Sequence, residues 1–147
     1  PVLNSYIRPL VLTPEVPEIT IPLNLACVRL HILGQVTLPE GFPLTGQEGG
    51  VVASYRLRYA NGKQQEISVR NGYEVAQANL IYAGSRINPV AAAAQRALVF
   101  VKDVAREHYQ ALLWPVPVEK GMIESLHCKL EGQQPALAIF AITAEHA

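Results

Sequence analysis

The sequence predicts an antiparallel all-β fold, a β-sandwich of roughly eight strands with at most one short helical turn. Three observations predict it. Val51 to Tyr73, VVASYRLRYANGKQQEISVRNGY, reads as a hairpin that runs into a polar loop. Short apolar segments recur along the chain with glycine, proline and asparagine between them. The one candidate helical stretch, the alanine run after Asn88-Pro89, is short and carries no apolar stripe.

The hairpin also predicts its own register. Tyr55, Leu57 and Tyr59 fall on one face of its first strand, and Ser54, Arg56 and Arg58 on the other. A two-residue turn at Asn61-Gly62 would set Leu57 against Glu66 and Arg56 against Ile67, mixing apolar and charged residues. A three-residue loop, Ala60-Asn61-Gly62, with Gly62 left-handed as a bulge, pairs Tyr55 with Ile67 and Ala53 with Val69. That register keeps one face apolar and is the one expected.

The remaining elements follow in chain order. Pro9, Pro14, Pro17 and Pro22 make residues 1–24 an extended lead-in or edge strand, because proline has no N–H for a central ladder. Residues 25–147 form the sandwich itself, within a single domain. Leu25 to Leu33 reads as a strand, with Ala26, Val28, Leu30 and Ile32 inward and Cys27, Arg29 and His31 outward. Gly34 to Gly50, rich in glycine, reads as a loop. The hairpin strands run over Val51 to Tyr59 and Lys63 to Val69. From Arg70 to Arg96 no period of two persists, and a long loop in a compact domain usually has a task. Strands are expected again over Ala97 to Lys102, His108 to Trp114 and Ile123 to Leu130. Ala136 to Thr143 is apolar throughout and is expected to be central, covered on both faces.

Composition narrows the function classes. The chain has 147 residues, of which 50% are apolar and 16% charged, with a formal net charge of zero. Nothing in that balance attracts a polyanion, so nucleic acid and acidic membranes are poor partners. Low charge suits a domain that belongs to a larger protein or an oligomer. No apolar run is long enough to span a bilayer; the longest candidate is Ala136 to Ile142. The chain begins at Pro1 without a leader of basic and then apolar residues, as a mature form or an excised fragment would.

Catalytic motifs do not emerge. There is no GxSxG elbow, HExxH, CxxC or glycine-rich phosphate loop, and the acidic residues do not cluster. His31, His108, His127 and His146 lack any short ligand spacing. Cys27 is expected outward and Cys128 inward, which argues against a disulfide. The chain is therefore expected to be non-catalytic. The polar loop holds Asn71, Tyr73, Asn79, Tyr82, Arg86 and Asn88, and the single tryptophan, Trp114, follows later. Aromatic rings can stack on the C–H face of a sugar, and Arg and Asn can bond its hydroxyls. The same residues have a plainer use: Trp114 as core or rim packing, Arg86 and Asn88 as partners of the loop's own backbone.

A set of segments in fixed order carries a resemblance: LHIL at Leu30 to Leu33, VASYRLRYANG, ISVRNGYEV, HYQALLWPVPVEKGMIESLHC and PALAIFAIT. Together, over roughly Leu25 to Ala144, the chain resembles the galactose-binding-domain-like jelly-roll modules found beside bacterial glycoside hydrolases. The resemblance implies an accessory carbohydrate-binding domain of a secreted enzyme, extracellular or periplasmic. Its partners would be a poly- or oligosaccharide and the catalytic domain of the parent protein. Asn71, Tyr73, Asn79, Tyr82, Arg86, Asn88 and Trp114 are then the expected ligand-binding residues. The structural calcium of such modules wants clustered aspartates, and this chain offers only Asp103, so no cofactor or metal is expected. The alternative is a structural module that packs between domains or in an oligomer without a ligand of its own.

Overall fold

The computed structural model describes residues 2–4, 9–37, 49–77, 95–102, 107–132, 134 and 136–146. Among them are ten strands and no helix. In chain order these are β1 (Val2–Asn4), β2 (Leu10–Leu12), β3 (Glu18–Leu25), β4 (Arg29–Thr37) and β5 (Val51–Tyr59). They continue with β6 (Gln64–Arg70), β7 (Gln95–Lys102), β8 (Glu107–Pro117), β9 (Ile123–Leu130) and β10 (Ala136–Glu145). Every strand pairing is antiparallel.

Two sheets form the sandwich. The first runs β1-β10-β4-β8-β7, with β2 also on the outer edge of β10; the second runs β3-β9-β5-β6. β5–β6 and β7–β8 are hairpins within one sheet, while the other links between β3 and β10 cross between sheets. Hydrophobic alternation explains the layering. Leu30, Ile32, Val36, Trp114, Val116, Leu137, Ile139 and Ile142 of the first sheet meet Ile21, Tyr55, Leu57, Ile123, Leu126 and Cys128 of the second in one core.

The hairpin takes the expected register, with Tyr55 opposite Ile67 and Ala53 opposite Val69. Gly62 closes it at φ 84°, the left-handed region where a Cβ is disfavoured. Pro22 lies in β3, an edge strand, where proline is tolerated. β9 spans the expected Ile123–Leu130.

Three expectations need correction. The strand expected over Leu25 to Leu33 is two strands: β3 ends at Leu25, and the chain crosses to the other sheet before β4 begins at Arg29. Leu30 and Ile32 point inward as expected, but Ala26 and Val28 are exposed in the crossing. Gly34 does not open a loop, since β4 continues through it to Thr37. A Cβ there would lie 3.0 Å from the Ala138 carbonyl oxygen, so this glycine permits close strand approach beside the bulge at Phe140. Finally, β10 is flanked on both edges, but its outward residues Ala136, Ala138 and Phe140 are only half-buried.

Candidate functional site

The polar corner after β6 is built by its backbone. The Arg70 carbonyl accepts from the N–H groups of Tyr73 and Glu74, both at 3.2 Å, and the Gly72 N–H donates to the Val75 carbonyl at 2.7 Å. Gly72 adopts φ 80°, which lets the chain reverse so tightly. The Asn71 N–H donates to the Gly50 carbonyl, and the Val36 N–H to the Ala76 carbonyl, fastening the corner to both flanking segments.

Side chains complete it. Glu74 accepts from the Arg70 backbone N–H at 2.9 Å, from Nε at 3.1 Å and from Nη2 at 2.7 Å. The Arg70 guanidinium lies 4.2 Å from the centroid of the Tyr73 ring, a cation–π contact. Hydrogen bonding to Glu74 raises the Arg70 pKa further, so the guanidinium stays charged. The Arg70 side chain is 42% exposed, whereas that of Glu74 is 12% exposed.

Of the expected ligand-binding residues, this corner holds Asn71 and Tyr73. Tyr73 is half-buried at the corner, and Asn71 is buried with it. Trp114 is 6% exposed in the core, its ring centroid 6.2 Å from that of Tyr55. A ring so enclosed presents no face to a ligand in solvent, so Trp114 is a packing residue. Asn79, Tyr82, Arg86 and Asn88 lie outside the described residues. Arg70 was not among the expected residues. Its signal was readable in RNGYE: Arg and Glu four apart, with Tyr between them.

Cys128 is buried, and burial pushes its thiol up to about 12; burial also raises half-buried Cys27. Neither supplies a thiolate near neutral pH. His31 Nε2 lies 2.9 Å from Glu145 Oε2, which also accepts from Arg29 at 3.3 Å. His127 Nδ1 lies 3.0 Å from Thr20 Oγ1, and its Nε2 is 3.4 Å from Glu18. Among the described residues no three of His, Cys, Asp and Glu group as metal ligands.

The larger feature is a contrast between the two outer faces. The second sheet's outer face is ionic: Arg56 pairs with Glu66 at 3.5 Å, Arg58 with Glu124 at 3.0 Å, and Lys129 with Glu131 at 3.7 Å. Ser54 donates to Glu131 beside them. On the first sheet, Leu33 stands opposite both Leu113 and Ala141, with Pro115 and Phe140 close by in register. Leu33 and Ala111 are buried yet stand apart from the inter-sheet core, and Leu113, Pro115, Ala138 and Phe140 are half-buried. Among the described residues, Arg29, His31 and Glu145 bring charge to one end of this strip. Among the described residues, the outer face of the first sheet is thus less charged at its middle than that of the second. No protein-family model, curated protein or solved structure matches this chain.

Proposed function

We propose that this chain is a non-catalytic packing module, an interdomain or oligomerisation β-sandwich that sets the outer face of its first sheet against another polypeptide surface. The observation that carries the reading is the apolar strip of half-buried Leu113, Pro115 and Phe140 around buried Leu33, set against the ion-paired face of the other sheet. Antiparallel sandwiches usually alternate apolar-in with polar-out, and covering an apolar face yields about 25 cal/mol per Å². Leu113→Asp tests it, with sedimentation velocity and binding of an apolar-surface dye as readouts. Wild type should associate or bind dye, and the variant should do neither while melting at the same temperature. If Leu113→Asp instead lowers the melting temperature and wild type neither associates nor binds dye, the face is covered within the chain and the reading fails.

A second reading, a carbohydrate-binding module of the galactose-binding-like kind serving a glycoside hydrolase, is favoured by the Arg70–Tyr73 stack. The half-exposed guanidinium and the phenol ring beside it offer donors and an apolar edge to a neutral sugar. Asn79, Tyr82, Arg86 and Asn88 would add hydroxyl contacts from the following loop. The site as proposed needs no metal. Titration calorimetry against a polysaccharide panel tests it: binding should be weak and should fall with Arg70→Ala or Tyr73→Ala. Absence of heat with every polysaccharide would sink this reading and leave the first untouched.

A further inference from the structure

We draw no further inference here: the strongest candidate, the apolar outer face of the first sheet around Leu33, Leu113 and Phe140, belongs to the site already described, and nothing in the structure shows what covers it.

Discussion

Tyr59 Oη donates to Gln65 Oε1 at 2.8 Å and, in return, accepts from the Glu119 backbone N–H at 2.9 Å. Gln65 passes the link on, its Nε2 donating to the Pro117 carbonyl at 2.8 Å. One tyrosine hydroxyl therefore ties the hairpin of the second sheet to the segment that leaves β8 of the first. The Tyr59 ring is buried among apolar neighbours, and only the hydroxyl reaches polar groups. Tyr59→Phe keeps the packing and strands the two partners. It should cost about 1–3 kcal/mol, toward the lower end because Gln65 is partly open to water. Urea denaturation of the variant checks this; an unchanged midpoint would show that solvent replaces the hydroxyl fully.

Trp114 separates core packing from ligand binding. Its ring fills the space between the sheets against Tyr55, so Trp114→Ala should destabilise by about 3–5 kcal/mol. Trp114→Phe should cost less and leave any glycan affinity as it is in wild type. A loss of glycan binding in a well-folded Trp114→Phe protein would return the ring to the site.

Two glycines make a contrast in mechanism. At Gly62 nothing lies within 4 Å of an added Cβ, but φ is +84°. Gly62→Ala should therefore cost about 1–2 kcal/mol through backbone strain alone. At Gly34 the backbone is ordinary, while the added carbon meets the Ala138 carbonyl oxygen at 3.0 Å. Gly34→Ala should push β4 and β10 apart and cost about 1–3 kcal/mol. Amide exchange checks the difference: β10 should lose protection in Gly34→Ala and keep it in Gly62→Ala.

These positions also show what could be read from the chain. Strict alternation in Val51 to Val69 leaves one register that keeps Tyr55, Leu57 and Val69 on a common face, so the hairpin was legible. Leu25 to Leu33 was not, because alternation by itself does not mark where a strand leaves one sheet for the other. Asn24, at φ 49°, and the exposed Val28 mark that crossing only in three dimensions. Gly34 misled for a related reason: a glycine that admits close strand approach looks the same in sequence as one that opens a loop. The polar corner was half legible. Asn71 and Tyr73 stand out by type and position, but Arg70 closes β6 and reads as one more outward residue of that strand. The apolar outer face was least legible, since strip residues from β4, β8 and β10 are neighbours only across the sheet.

Acid should loosen the end of β10. Glu145 is held below its ordinary value of 4.5 chiefly by the hydrogen bond from His31, with Arg29 adding to it. A carboxyl depressed in the fold contributes stability that is present above its unfolded pKa and lost as pH falls through the folded value. The melting temperature should accordingly decline below about pH 4.5, and Glu145→Gln should decline less over that window. The group is exposed, so the effect is small and screened by salt. Melting curves from pH 6 to 3 at low and high salt check it; identical slopes in wild type and variant would assign the acid response elsewhere.

Thiol reactivity reports on the core directly. Cys128 packs between the sheets, opposite Tyr55 in β5, and burial lifts its pKa to about 12. Alkylation needs the thiolate and a path for the reagent, and the fold denies both. Native protein at neutral pH should therefore take up no label at Cys128, while Cys27, half-buried with a raised pKa, reacts slowly. In denaturant both should label at the same rate, because the difference lies in the environment and not in the residue. Peptide mapping after timed alkylation measures the two separately. Labelling of Cys128 at the rate of Cys27 in native protein would mean that β9 opens readily, and with it the core that holds both sheets together.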